Sequence, residues 1–162
     1  MKYFLCLGSN IGNRGKNLEA ALLQIKQRGI KVLSCSSLYE TEPVGMPGER
    51  WFFNQVIELE TDMTPFDLLR WIKQTEKKMG RDMTEKHKSR IIDMDILFAE
   101  GRVIHTEELC VPHPELAARN FILVPLAEIA PELIHPVHNK KIRSLLLESK
   151  DSHRMKIVGG AK

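Results

Sequence analysis

The first apolar run in the chain, Tyr3-Phe4-Leu5-Cys6-Leu7, is dense, short and broken at Gly8-Ser9-Asn10, which predicts a strand over residues 2 to 7. Apolar positions then shift to helical spacing. Leu18, Ala21, Leu22 and Ile25 share one face, with Asn13 placed to cap the start and Gly29 to stop the end. Lys31 to Thr41 and Phe52 to Thr61 read as strands, separated by a loop whose Glu42-Pro43-Val44-Gly45-Met46-Pro47-Gly48 holds two Pro and two Gly. Thr64-Pro65-x-Asp67 supplies a cap, a first-turn proline and an acidic first turn. The helix it opens carries Phe66, Leu69, Ile72 and Met79 on one stripe, with Leu68 alongside, and ends at Gly80. Arg81 to Arg90 is polar and reads as an exposed loop; Ile91 to Phe98 is the strongest strand signal in the chain.

The order strand, helix, strand, strand, helix, strand predicts an α+β fold with a ferredoxin-like βαββαβ core, both helices lying on one face of an antiparallel sheet. The rest reads as C-terminal additions: a hairpin near Gly101 to Thr106, a short strand or helix at Phe121 to Ile129, and a last helix at Ile142 to Leu147. Without repeats, linkers or low-complexity tracts, residues 1–162 read as one domain with frayed last residues.

Strand alternation puts Ile92, Met94, Ile96 and Phe98 on the core face and Ile91, Asp93, Asp95 and Leu97 on the other. Asp93 and Asp95 then stand with α-carbons roughly 6.5 to 7 Å apart, close enough for both carboxylates to hold shared hard cations. A plain solvated sheet face would carry the same pair. The neighbourhood favours the cation: Glu76, Arg81, Lys86, Lys88 and Arg90 precede it, and Pro112-His113-Pro114 and Arg119 follow. Phosphoryl transfer needs carboxylates for a metal and cationic groups for phosphate charge. Neither a G-x-x-x-x-G-K-[ST] loop nor a G-x-G-x-x-G turn occurs, so a nucleotide would be held by side chains and metal. Gly8-Ser9-Asn10 reads more readily as a simple turn than as a phosphate contact.

Composition narrows the partners. A net charge of +3 suits an anionic ligand and falls short of a nucleic-acid footprint. No apolar run approaches membrane-spanning length, and Cys6, Cys35 and Cys110 are scattered without a C-x-x-C pair. A reduced, cytoplasmic monomer with no nucleic-acid or membrane partner is expected.

Several separated stretches carry a resemblance: Leu7-Gly8-Ser9-Asn10 with Asn17-Leu18, Ser37 to Gly45, Phe53-Asn54, Glu76-x-x-x-Gly80-Arg81, Arg90-x-x-Asp93-x-Asp95-Ile96-Leu97, Val111-Pro112-His113-Pro114, Arg119-x-Phe121 and Pro125 to Pro131. Together they resemble 6-hydroxymethyl-7,8-dihydropterin pyrophosphokinases, which transfer the terminal diphosphate of ATP to the pterin alcohol in folate biosynthesis and release AMP. The resemblance implies that Asp93 and Asp95 hold two Mg²⁺ ions, with Arg81 and Arg90 as catalytic arginines. It implies ATP contacts at Lys73, Glu76, Arg90, Ile96, His113 and Arg119. For the pterin it implies stacking on Phe52 and Phe121, recognition of its amide-like edge by Asn54 and by Thr41, Pro43 and Val44, and contact with Asp93.

The chain departs from that pattern at Lys73, Met83, His87 and Lys88, mostly within the loop expected to close over the substrates. Two other readings of the same residues remain at this stage. One is a metal-dependent nucleotide hydrolase with water as acceptor. The other is an RNA-binding module on a ferredoxin-like sheet.

Overall fold

The computed structural model describes residues 1–84 and 88–159. Its main sheet runs β10-β3-β4-β1-β5, all neighbours antiparallel. The core strands are β1 (Lys2–Ser9), β2 (Lys31–Cys35), β3 (Leu38–Thr41), β4 (Phe52–Glu60) and β5 (Asp93–Ala99), with β6 (Ile104–His105), β7 (Cys110–Val111), β8 (Ile134–His135), β9 (Lys140–Lys141) and β10 (Met155–Gly159) added around them. Helices α1 (Arg14–Gln27) and α2 (Pro65–Lys78) lie on one face, as the βαββαβ pattern requires. Helices α3 (Asn120–Ile129) and α4 (Ile142–Glu148) cover part of the other.

The helix starts follow their signals. Asn13 Oδ1 accepts from Lys16 N at 3.0 Å, Thr64 Oγ1 from Asp67 N at 3.2 Å, and Gly29 and Gly80 adopt the positive φ that ends a helix. The buried stripe of α2 is Leu68, Ile72, Thr75 and Glu76, while Phe66, Leu69 and Met79 pack at its margin. The stripe is rotated from the expected one because a carboxylate, Glu76, turns inward where donors meet it.

The strand expected over 31 to 41 is two strands. Both pair the same edge of β4, which is nine residues long and takes β3 near its start and β2 near its end. At the break Ser36 completes the ladder with its own groups: its N–H donates to Val56 O at 2.8 Å and its Oγ accepts from Val56 N at 3.0 Å. The segment 121 to 129 is a helix, α3, and Gly101 to Thr106 leads into the β6/β7 hairpin.

Both faces of β1 are buried, Tyr3, Leu5 and Leu7 against α1 and α2, Phe4 and Cys6 toward α3 and α4. On β5 the expected alternation holds from Ile92 through Ile96 and then slips. Phe4 pairs Phe98 but Leu5 pairs Ile96, so Leu97 is the extra residue of a β-bulge. Phe98 therefore does not join Ile92, Met94 and Ile96; it packs edge-on against Phe4 in the second core, together with Leu97. Among the described residues, no helix is long and apolar enough to cross a membrane.

Candidate active site

The part of the second sheet face left uncovered by α3 and α4 is a cavity of about 500 Å³, within the usual range for a small-molecule site. Several pieces of chain meet there: β1 at Cys6 and Gly8, the starts of β4 and β5, the loop after β3, and the segment leading into α3. All the residues expected to contact the pterin, Thr41, Pro43, Val44, Phe52, Asn54, Asp93 and Phe121, are on its wall. So are Arg90, Asp95, His113 and Arg119. Sequence reasoning missed Cys6, Met46 and Glu115, also on the wall.

Asn54 is buried and fixed from two sides. Its Nδ2 donates to Thr41 Oγ1 at 2.6 Å, and its Oδ1 faces the Cys6 thiol at 3.9 Å. Gly8 makes room for it, since a Cβ there would stand 2.6 Å from Asn54 Oδ1. The glycine that looked like part of a turn is thus inside β1 for steric reasons, and the constraint was hidden because it comes from a residue far away in sequence.

Asp93 and Asp95 share one face of β5, with Cys6 directly opposite Asp95 on β1. Arg81 Nη1 donates to Asp93 Oδ1 at 2.7 Å and to Glu76 Oε1 at 2.6 Å, and Arg90 donates to Asp93 Oδ2. Burial would lower the Arg81 pKa, but Asp93 and Glu76 more than offset it and keep the guanidinium charged. Asp95 has no such partner among the described residues. Burial, with the charges of Asp93 and Glu76, pushes its carboxyl up to about 7. A carboxylate pair so poised fits a divalent cation, which would relieve the repulsion.

Among the described residues no three His, Cys, Asp or Glu side chains are grouped to hold a metal, so other oxygens must complete any coordination sphere. The Nε atoms of Arg81, Arg90 and Arg119 are buried without a hydrogen-bond partner among the described residues, donor capacity suited to an anion. His113 Nδ1 accepts from Glu115 N at 3.2 Å, which leaves the ring proton on Nε2, and burial holds its pKa below the ordinary value. The neutral ring is therefore a hydrogen-bond donor through Nε2.

Glu76, Lys73 and Ile96 are not on this wall. Glu76 is fully buried, and besides Arg81 its Oε1 accepts from Met94 N at 2.7 Å while Lys73 Nζ lies 3.4 Å from Oε2. It covers the free edge of β5 from one side, as His113 N does at Leu97 O, 2.8 Å away. Ile96 packs in the α1/α2 core.

Asn10 is buried and joins the roots of both long loops. Its Nδ2 donates to Arg50 O and Ser89 Oγ, each at 3.1 Å, its Oδ1 accepts from Arg90 N, and Ser89 donates to Glu49. The loop expected to be wholly exposed from 81 to 90 turns both end arginines inward and exposes Asp82, Met83, Thr84 and Lys88; Lys86 and His87 lie outside the described residues.

Residues 4–131 match the family model described as 7,8-dihydro-6-hydroxymethylpterin-pyrophosphokinase. The chain belongs to this pyrophosphokinase family. It is 40% identical over 131 residues to the 2-amino-4-hydroxy-6-hydroxymethyldihydropteridine pyrophosphokinase of Bacillus subtilis, covering 80% of this chain and 78% of that one. It is 38% identical over 141 residues to the folic acid synthesis protein fol1 of Pneumocystis carinii, a match that spans 87% of this chain but only 19% of that longer relative. Its fold is that of the wild-type HPPK-DHPS of Plasmodium falciparum solved with pteroate, with a TM-score of 0.74 at 19% identity, covering 91% of this chain and 42% of that chain. Part of the sheet face an RNA-binding ferredoxin-like module would use is here packed under α3 and α4.

Proposed function

We propose that this chain transfers the terminal diphosphate of ATP to the hydroxymethyl oxygen of 6-hydroxymethyl-7,8-dihydropterin. A bond forms between that oxygen and the β-phosphorus, the bond from the β-phosphorus to the oxygen bridging it to the α-phosphate breaks, and AMP leaves. The observation that carries this reading is the junction of two chemistries in one cavity: a wall of Phe52, Asn54 and Phe121 beside the Asp93 and Asp95 carboxylates.

The Asn54 amide and the polar backbone after Thr41 would read the pterin edge, with Phe52 and Phe121 against its faces. Asp93 and Asp95 would hold two Mg²⁺ ions, which supply Lewis-acid charge to the phosphates when bound. Arg81 and Arg90, now on Asp93, would turn to phosphate oxygens, joined by Arg119 and by the His113 Nε2–H. Glu76 and Lys73 would act behind Arg81, setting where it can reach. The proposal also includes a cytoplasmic monomer.

Chromatography of nucleotides after incubation with Mg-ATP tests the reading. AMP is expected only when the pterin is present; AMP or ADP released equally without it would mean hydrolysis. A second test addresses the pterin wall. Gly8→Ala displaces Asn54, so the pterin KM is expected to rise about tenfold or more while the ATP KM changes little. An unchanged pterin KM would remove Asn54 from its proposed role.

A further inference from the structure

Residues 149 to 159 lie beyond the stretch that matches the family model, yet they are hydrogen-bonded to Asn120, which stands between the wall residues Arg119 and Phe121, and to Glu42, itself on the wall. Helix α3 starts without a cap of its own, because the N-cap position is Arg119, whose side chain cannot accept. Asp151, 31 residues after Asn120, takes that role: its Oδ2 accepts from Asn120 N at 2.8 Å and its backbone O accepts from Asn120 Nδ2 at 3.1 Å. Its side chain is only 2% exposed. Burial would raise its pKa, but hydrogen bonds from Asn120 N and from His153 hold it below the ordinary value, so it stays charged at a helix N-terminus. Arg119 is thereby left with its side chain toward the cavity, and Phe121 is set one residue past the anchor.

Three residues further on, the same segment grips the opposite wall. Arg154 N donates to Glu42 Oε2 and Glu42 N donates to Arg154 O, both at 2.9 Å. Strand β10 then pairs β3, with Met155 opposite Thr41. Glu42 stands between Thr41 and Pro43, the backbone expected to read the pterin edge. One short run of chain is hydrogen-bonded on one side to Asn120, beside Phe121, and on the other to Glu42.

We infer that residues 151 to 155 are a strap that fixes the spacing between Phe121 and the Thr41 to Val44 edge, with Asp151 as a positioning residue for the pterin. The inference rests on the proposed function. Asp93, Asp95 and His113 are held from β5 and do not depend on it.

The test is binding of the dihydropterin and of a nonhydrolysable Mg-ATP analogue to the full chain and its variants by calorimetry, at a temperature where each is folded. Asp151→Ala is expected to weaken pterin binding about tenfold, with ATP-analogue affinity changed less than about threefold, and Asp151→Asn, which keeps an acceptor but not the charge, to recover part of the loss and remain about threefold weaker than wild type. Hydrogen exchange on the ligand-free variant should speed at 41 to 44 and 119 to 121 together. Wild-type pterin affinity in a folded Asp151→Ala overturns the strap while leaving the proposed function standing. If Asp151→Ala does not fold, Asp151→Asn decides: a pterin affinity about threefold weaker supports the strap, and an unchanged one overturns it. A wild-type chain that binds no pterin overturns both readings.

Discussion

Asp95→Asn is expected to raise the melting temperature of the ligand-free protein and to abolish turnover. The Asp95 carboxyl is pushed up to about 7 by burial and by the charges of Asp93 and Glu76. A carboxyl that holds its proton more tightly folded than unfolded weakens the fold as pH rises from the unfolded value near 4 toward 7, and the penalty is complete above that. The amide carries no charge, so the gain should be full at pH 8, of order 1 to 2 kcal/mol or several degrees, and small at pH 4. Scanning calorimetry at the two pH values checks it. A gain equal at both would mean that the cost of burying the ionised carboxylate beside Asp93 and Glu76 is not the cause. If Asp95 is one of two carboxylates for the cation, as proposed, the loss of activity should be on the order of 10³-fold. A carboxylate that costs the fold stability at this site is relieved by a cation that neutralises it.

Arg81→Ala should do the reverse to stability and the same to catalysis. The guanidinium lies between Glu76 and Asp93, and truncating it leaves Glu76 fully buried with only Met94 N and Lys73 for compensation. Burial already raises the Glu76 pKa, and Arg81 and Lys73 are what oppose the rise. Stripping one partner from a buried pair typically costs about 3 kcal/mol, so urea denaturation should show a loss of that size. Turnover is expected to fall about 10² to 10³-fold. The double variant Arg81→Ala with Glu76→Gln separates the two effects. It should regain most of the stability and none of the turnover. Recovery of turnover would mean that Arg81 serves only to shelter Glu76.

The parts of this molecule legible in the sequence were those whose cause is local. Asn13, Thr64 and Pro65 act within a few residues, and the period of β5 put Asp93 and Asp95 on one face without any tertiary information. Glu76 was expected at the nucleotide, because spacing alone cannot reveal that Arg81 and Met94 N draw it into the interior. Asn10 was read as a turn because its partners, Arg50, Ser89 and Arg90, belong to other loops. Strand β10 and the Asp151 anchor were invisible for the same reason, since their partners are Glu42 and Asn120. Ser36 broke a run that composition made continuous, by offering a hydroxyl where the ladder needed one.

The bulge at Leu97 divides β5 into two halves with separate bookkeeping of inside and outside. Without a bulge, one inserted or deleted residue would turn every side chain beyond it to the opposite face. With it, Leu97 and Phe98 can answer to the packing of α3 and α4 while Asp93 and Asp95 keep the parity that aims them at the cavity. The packing behind the site and the phase of the two carboxylates are thus set separately along one strand.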